Sequence, residues 1–186
     1  MHDLKALLPW RGGRSLLASQ VLSVTEAGYA SPVVVLGHMA ERLDMELAPL
    51  NARSIFNPRY LEGRSSSIVV GVLEMLQERV DAFLLINVDQ PRSVQTLRIL
   101  RESYKKVQPL IALPTANGKP GHPPIFDASM IPELLQVEEQ TQGLRQVMSN
   151  FYDQRLLVPV EDPLTLIDLN TPTDYEAALK HLEQHS

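Results

Sequence analysis

Short apolar runs alternate along this chain with segments in which apolar residues recur at helical spacing. Leu17, Val21 and Val24 fall at positions i, i+4 and i+7, which is one face of a helix. The same spacing recurs at Ile68, Val72 and Met75 and at Tyr175, Ala178, Leu179 and Leu182. The runs of strand length are Pro32–Leu36, Ser54–Phe56, Ala82–Val88, Leu110–Leu113 and Leu156–Val160. This alternation predicts an α/β protein with parallel β-α-β units, in which Ala82–Val88 is a central strand buried on both faces.

Length and composition limit the chain to one ordinary domain. Its 186 residues suffice for a single domain spanning 1–186, and no segment marks a linker. The formal net charge of −5 argues against a general nucleic-acid binder, although a few cations can still hold a phosphorylated ligand. The absence of cysteine excludes disulfides, thiolate catalysis and cysteine-based metal sites. No apolar run approaches the roughly 20 residues of a membrane span, and no secretory leader is recognisable, so we expect a cytoplasmic protein.

The end of the predicted central strand is the first candidate site. Ligands of open α/β sheets bind beyond the carboxyl ends of the strands, and Asp89 stands at that point, followed by Gln90 and Pro91. A carboxylate there suits Mg²⁺, which binds one or two protein carboxylates together with water and phosphate oxygens. The alternative is that Asp89 caps the helix that begins near Pro91.

A second polar cluster follows the last apolar stretch, where Asp168 and Asn170 precede Thr171 and Pro172. Either oxygen-bearing side chain could be a second metal ligand. The competing interpretation is an ordinary turn and helix cap, with Thr171 as the capping residue and Asp174 facing the free N–H groups of the first turn.

Two further segments have the composition of binding loops. Gly63 and the consecutive serines Ser65–Ser67 open a helix, where free N–H groups and hydroxyls can contact a nucleotide, although one serine would suffice as a cap. The proline- and glycine-rich stretch Pro114–Pro124 is incompatible with helix and is expected to be a functional loop. Within it, His122 either binds substrate or hydrogen-bonds inside the loop.

Taken together, these segments resemble the MobA-like NTP transferases, in particular their molybdenum cofactor cytidylyltransferase branch. The resemblance extends in order and spacing over the whole chain and is carried by Lys5–Trp10, Val33–Gly37, Asn57–Pro58, Glu62–Gly63, Ser65–Ser67, Asp89–Pro91, Gly121–Pro123, Gly143–Arg145 and Asp168–Tyr175. It implies a three-layer α/β/α, Rossmann-like nucleotidyltransferase fold with a mostly parallel sheet. It also implies a transfer reaction in which the phosphate of a molybdopterin-type cofactor receives a nucleoside monophosphate from CTP or GTP, with release of pyrophosphate.

The resemblance assigns a role to each candidate residue. Lys5 would pair with the β and γ phosphates, and Asp89 would hold Mg²⁺, with Asn170 favoured over Asp168 as the second ligand. The nucleotide would contact Gly63 and Ser65–Ser67. The pterin phosphate would lie beside Gly121, His122 and Pro123, and Arg145 would reach the acceptor, unless it is merely an exposed helical arginine. The implied partners are the NTP, the phosphorylated pterin and a molybdoenzyme or its chaperone, with no nucleic acid and no membrane.

One part of the family pattern is missing. Members begin with a strand and a phosphate-binding loop, L-A-A-G-x-S-x-R-M-G-x-x-K, of which this sequence has Met1, His2 in place of the last glycine, and Lys5. We expect the natural gene to start upstream, and the absence of a central strand to leave unpaired backbone groups and a slot between its two neighbours. Two alternatives stay open. The chain could be an inactive homologue that serves as a binding module, or a transferase for another acceptor such as a sugar phosphate.

Overall fold

The computed structural model describes residues 4–30 and 32–184. Met1 and His2, which the resemblance aligns with a phosphate-binding loop, lie outside the described residues. The helices of the described chain are α1 (Leu16–Glu26), α2 (Ala40–Leu47), α3 (Arg64–Glu78), α4 (Val94–Val107), α5 (Ile131–Leu134), α6 (Leu144–Asn150) and α7 (Pro172–Gln184). The strands are β1 (Val33–Leu36), β2 (Arg53–Phe56), β3 (Ala82–Leu84), β4 (Ile111–Ala116), β5 (Lys119–Pro120), β6 (Ile125–Asp127) and β7 (Arg155–Pro159). None of the described helices has the length and apolar character needed to cross a membrane.

The strands form two separate sheets. In the smaller sheet β1 and β2 pair in parallel, with Val33 opposite Arg53. In the larger sheet β6 lies antiparallel between β3 and β4, and β7 pairs in parallel with the other edge of β4. The short β5 returns as a hairpin against the end of β4. The sequence analysis did not anticipate β6, because a three-residue strand has too little periodicity to be separated from a loop.

Helices cover the larger sheet on both faces, as the α/β pattern predicts. Ile111 and Leu113 of β4 belong to a core shared with α3, α5 and α6. Ala112, which points to the opposite face of the strand, packs in a second core with Leu100 and Tyr104 of α4. The α/β fold class expected from the sequence is therefore confirmed.

The segment predicted as a fully buried central strand is only partly one. Regular pairing covers Ala82–Leu84, after which Leu85 N donates one more hydrogen bond to Pro124 O (3.0 Å). The chain then continues through Ile86 and Val88 without a strand partner among the described residues, and these side chains are half-buried. The physical reason is that β3 lies at the edge of its sheet, with no strand on its other side.

A cavity of about 540 Å³, called the central groove here, lies between the two sheets. Val33–Val35 of β1 line one wall and Ala82–Asp89 the other, while residues of α1 and α3, including Val21 and Val72, close it above and below. Its lining is largely apolar. The central groove therefore separates β1 from the Ala82–Asp89 segment.

The hydrogen-bond register shows which backbone groups face this groove. Because Arg53 N donates to Pro32 O and Asn57 N to Leu36 O, the alternation of a parallel ladder directs the N–H and C=O of Val33 and Val35 away from β2. On the opposite wall, Ala128 N donates to Asp81 O and Leu85 N to Pro124 O, so Ala82, Leu84 and Ile86 face away from β6. Both walls therefore direct backbone donors and acceptors into the central groove.

Candidate functional site

Three polar side chains meet at the carboxyl end of the central groove. Lys5 Nζ lies 3.7 Å from Asp89 Oδ2 and donates a hydrogen bond of 3.0 Å to Asn170 Oδ1. Lys5 opens the 310 turn Lys5–Leu7 near the start of the described chain. Asp89 follows the β3 segment, and Asn170 precedes α7. The fold thus brings together three residues to which the sequence analysis assigned phosphate and metal binding.

Backbone contacts fix the turn that carries Asp89. Gln20 of α1 donates from Nε2 to Asn87 O (2.8 Å) and Val88 O (3.2 Å). Leu169 N donates to Asp89 O (2.8 Å), and the Leu169 side chain is completely buried. The segment around Asn170 is therefore tied to the Asp89 turn by the main chain as well as through Lys5.

Asp89 does not cap the following helix. The cap of α4 is Ser93, whose Oγ accepts a hydrogen bond from Thr96 N (3.1 Å). The Asp89 carboxylate instead faces Lys5, its ion-pair partner within the described chain. The capping interpretation of Asp89 is wrong, which leaves the carboxylate available to a ligand.

Asp168 has a different partner from Asn170. Its Oδ1 accepts a hydrogen bond from Gln90 Nε2 (2.8 Å), while Gln90 Oε1 accepts one from Asn87 Nδ2 (2.8 Å). Gln90 is buried, so its amide links the Asp89 turn to the start of the Asp168–Asn170 segment. Asp168 is thus held by Gln90 of the Asp89 turn, whereas Asn170 and Asp89 both contact the Lys5 ammonium.

The predicted cap of α7 is present. Asp174 Oδ2 accepts hydrogen bonds from Thr171 N (2.8 Å) and Thr171 Oγ1 (2.7 Å), and Asp174 N donates to Thr171 Oγ1 (3.2 Å). These hydrogen bonds to Thr171 hold the pKa of Asp174 below its usual range. The two side chains form the reciprocal cap of a helix N-terminus, so they belong to the helix start.

Two of the three serines in Ser65–Ser67 are buried and hydrogen-bonded to other parts of the protein. Ser65 donates from both N and Oγ to Glu139 Oε2 (3.0 and 2.8 Å), and Ser66 Oγ lies 2.8 Å from Gly63 O. Both serines are buried, and the Ser65 N–H is the main cause that lowers the pKa of Glu139. Gly63 has φ +104°, and a Cβ there would lie 2.9 Å from Glu139 Cδ, so glycine is required.

Ser67 is the member of the run that reaches the central groove. It lines this groove together with Arg64, Lys5 and Asp89. Its Oγ also accepts a hydrogen bond from Asn57 Nδ2 (3.0 Å), and Asn57 is completely buried. Of the predicted nucleotide-binding serines, Ser67 is thus the one that the fold brings to the groove beside Lys5 and Asp89.

The Gly121–Pro123 loop packs tightly against the 310 turn at Pro163–Leu166. Gly121 N donates to Pro114 O (2.8 Å), and a Cβ on Gly121 would lie only 2.5 Å from Thr165 O. His122 is half-buried, and its imidazole has no hydrogen-bond partner within the described chain. Burial lowers the pKa of His122, Arg92 and Arg64 lower it further, and Asp168 and Asp89 act in the opposite direction. The charges of Asp168 and Asp89 therefore act on the His122 imidazole.

Arg145 is exposed on α6 and does not line the central groove. Gly143, two residues earlier, lies against Ser65. A Cβ on Gly143 would be only 2.8 Å from Ser65 Oγ. The residue that precedes α6 thus lies against the N-terminus of α3, while Arg145 itself is exposed and outside the groove lining.

Sequence reasoning missed the buried polar residues that hold the site in place. They are the buried side chains of Gln20, Asn57, Gln90 and Arg92. The exposed carboxylate of Glu139 adds a further contact, to Ser65. Gln90 and Arg92 lie one and three residues after Asp89 in the sequence, and that proximity was the available signal. Gln20 and Glu139 carry no such signal, since each reaches its partners only through the tertiary fold.

The chain is similar to known proteins over most of its length. A family model described as "MobA-like NTP transferase domain" matches residues 1–156. The molybdenum cofactor cytidylyltransferase of Escherichia coli is 26% identical over 182 residues, covering 96% of this chain and 88% of that protein. Among solved structures, a nucleotidyl transferase from Methanothermobacter thermautotrophicus superposes with a TM-score of 0.82 at 24% identity, covering 98% of this chain and 86% of its own. Rv0371c of Mycobacterium tuberculosis, solved as a manganese complex, gives a TM-score of 0.77 at 21% identity, with 96% and 93% covered.

Proposed function

The chain belongs to the MobA-like NTP transferase family of nucleotidyltransferases, and from this premise we propose that it transfers a nucleoside monophosphate from CTP or GTP to the phosphate of a molybdopterin-type cofactor. The observation that carries the proposal is the Lys5 ammonium between the oxygens of Asp89 and Asn170 at the mouth of the central groove. The similarity to the Escherichia coli cytidylyltransferase supports the choice of acceptor.

The donor set at this point suits a divalent cation. Asp89 and Asn170 direct a carboxylate and an amide oxygen toward one position, where Lys5 Nζ now supplies the positive charge. No cluster of three or more His, Cys, Asp or Glu side chains able to hold a metal occurs in residues 4–30 and 32–184. A site with few protein ligands fits Mg²⁺, which keeps several waters and binds through substrate phosphates. Asp89 and Asn170 would hold the ion, with Asp168 oriented through Gln90.

The reaction requires positioning and charge neutralisation more than covalent chemistry from the protein. An oxygen of the acceptor phosphate attacks the α-phosphorus of the NTP, the bond from that phosphorus to the bridging oxygen breaks, and pyrophosphate leaves with the electron pair. Lys5 would neutralise the β and γ phosphates as a point charge. A bound Mg²⁺ would offset the negative charge that opposes attack. Ser67 and Arg64 would contact the nucleotide, and Gly121, His122 and Pro123 would border the acceptor.

We also propose that catalysis requires a strand and a phosphate-binding loop in addition to the described residues. The backbone groups that face the central groove support this part of the proposal, as does the position of Lys5 at the groove's carboxyl end. Without such a loop the family fold would serve as a binding module. A sugar phosphate is the competing acceptor, because the Gly121–Pro123 loop points to a pterin only through the family.

The test uses a form of the chain that carries an added strand and phosphate-binding loop. It measures pyrophosphate release in the presence of Mg²⁺, with CTP or GTP, and with either molybdopterin or a sugar phosphate as acceptor. Asp89→Asn removes the carboxylate charge and should reduce kcat by about 10²-fold or more while the protein stays folded. The matched control is Asp153→Asn, at an exposed aspartate in the turn Tyr152–Gln154, which should retain wild-type turnover. Full activity in a folded Asp89→Asn protein would refute the metal assignment, and turnover with the sugar phosphate alone would refute the acceptor.

A further inference from the structure

Arg92 is a buried charged residue next to the candidate site that the proposed reaction does not use. It follows Asp89, Gln90 and Pro91 and is only 4% exposed. A guanidinium taken out of water is expensive to keep unless its N–H groups find acceptors. Among the described residues Nε and Nη1 have acceptors, whereas the buried Nη2 has none.

The acceptors are main-chain carbonyls from separate segments of the site. Arg92 Nε donates to His122 O (2.7 Å), and Nη1 donates to Ile167 O (3.1 Å) and to its neighbour Pro91 O (2.8 Å). His122 belongs to the proposed acceptor loop, and Ile167 directly precedes Asp168. One side chain thus joins the Asp89 turn, the His122 loop and the segment that leads to Asn170.

The charge of Arg92 is retained in this position. Burial lowers its pKa to about 10, and the carboxylates of Asp168, Asp162 and Asp89 oppose that effect. The guanidinium is therefore protonated near neutral pH. Its planar fork can serve carbonyls in different directions at once, which the single ammonium of a lysine cannot reproduce.

Helix formation does not require this arginine. Helix α4 already begins with the Ser93 cap, and Asp162 accepts a further hydrogen bond from Thr96 Oγ1 (2.8 Å) at the same end. An apolar side chain of similar length would fill the same space without the cost of burying a charge. The three carbonyl contacts are the feature that such a replacement would lose.

We propose that Arg92 is a positioning residue that sets the separation between the acceptor loop, Gly121–Pro123, and the Asp89 and Asn170 oxygens. The proposal rests on the proposed function. It takes Gly121–Pro123 as the loop beside the acceptor phosphate, and Asp89 and Asn170 as the residues beside the phosphates of the NTP. In-line attack needs the two phosphates at a fixed distance, and a displacement of about 1 Å can reduce the rate by 10²-fold. Arg92 touches neither reacting group and acts through the backbone of the loops that do.

The first experiment needs no substrate. It follows amide hydrogen exchange in the wild type, Arg92→Met and Arg92→Lys. The matched control is Arg98→Met, at an exposed arginine of α4 whose Nη2 donates to Glu26 O (3.2 Å). In Arg92→Met the amides of Gly121, His122 and Leu169 should exchange about tenfold faster or more, while amides of β4 keep their protection. Arg92→Lys should lie between, and the control should match the wild type.

The second experiment separates positioning from a merely structural role. It uses the form with the added strand and loop, together with Mg²⁺, CTP and the phosphorylated acceptor. Arg92→Met should raise KM for the acceptor and lower kcat by about 10²-fold, with KM for CTP within about twofold of the value for the same form with Arg92. Arg92→Lys should recover part of kcat.

Three results would overturn the role of Arg92. They are unchanged exchange at the Gly121, His122 and Leu169 amides, equal acceleration at all amides including those of β4, or equal increases in both KM values. If the form that carries the added strand and loop transfers nucleotide to no acceptor, the proposed function fails. The exchange pattern, which needs no turnover, then still decides whether Arg92 holds these loops in place.

Discussion

At the scale of single residues, the contact of Lys5 with Asp89 and Asn170 contributes little to the free energy of unfolding. The Lys5 and Asp89 side chains are 32% and 29% exposed, and ion pairs of that exposure contribute only about 0–1 kcal/mol. Asp168, which could have replaced Asn170 in this contact, is held instead by Gln90. The arrangement therefore fits a ligand site better than a stabilising contact.

His122 makes the stability of the protein depend on pH in a defined direction. Because burial lowers the pKa of the folded imidazole below its ordinary value of 6.5, the unfolded chain binds more protons than the folded one below about pH 6.5. The free energy of unfolding should therefore fall as the pH drops from about 6.5 toward 5. His122→Asn removes the titrating group, so the variant should lose less stability over this range in urea titrations. Identical pH slopes in the two proteins would contradict the assignment.

At the scale of elements, two helices of the site begin with caps of different origin. Helix α7 is capped by Thr171 and Asp174, three residues apart, and this cap was predicted from the sequence. The N-terminus of α3 receives the carboxylate of Glu139, which is 74 residues away from Ser65. The second cap joins α3 to the 310 turn at Glu139–Thr141 and so fixes the helix that carries Ser67.

Replacement of Glu139 tests this distant cap. Glu139→Gln removes the charge that meets the free N–H groups of α3, and it should lower stability by about 0.5–1 kcal/mol, a modest value because the carboxylate is exposed. Since Ser65 holds the pKa of Glu139 below its usual 4.5, the contribution is present above that pH and is lost on further acidification. Thermal melts near neutral pH against Glu138→Gln, the exposed neighbour, provide the comparison. Equal melting temperatures for the two variants would exclude the cap.

At the scale of the whole molecule, the central groove separates the two sheets. Val33 and Val35 on one wall, and Ala82, Leu84 and Ile86 on the other, direct backbone groups into it. Gln20, which lines the same groove, has a buried Oε1 without a hydrogen-bond partner in the described part of the chain. An unsatisfied buried polar group costs about 1–3 kcal/mol, against a total stability of about 5–15 kcal/mol.

A strand in the central groove should therefore stabilise the protein. We expect the 186-residue chain alone to be marginally stable, and a form extended ahead of Met1 by an apolar strand and an L-A-A-G-type loop to melt about 10 °C higher and to bind CTP with Mg²⁺. The matched control carries a glycine–serine extension of the same length. Thermal melts and titration calorimetry compare the three forms. If the apolar extension behaves like the control in both measurements, the groove does not accept a strand.

The sequence by itself determined the α/β class, the positions of β1, β2, β4 and β7 and the Thr171 cap, because periodicity and capping act within a few neighbouring residues. It also selected Asp89 from its position after a strand, while the family resemblance added Lys5 and favoured Asn170 over Asp168. Only the tertiary structure decided that Asp89 faces Lys5 instead of capping α4, that Ser65 is taken up by Glu139, and that Arg92 joins three loops. Each of these outcomes depends on which distant segment supplies the hydrogen-bond partner. That choice is made by packing across the whole fold, which local spacing does not record.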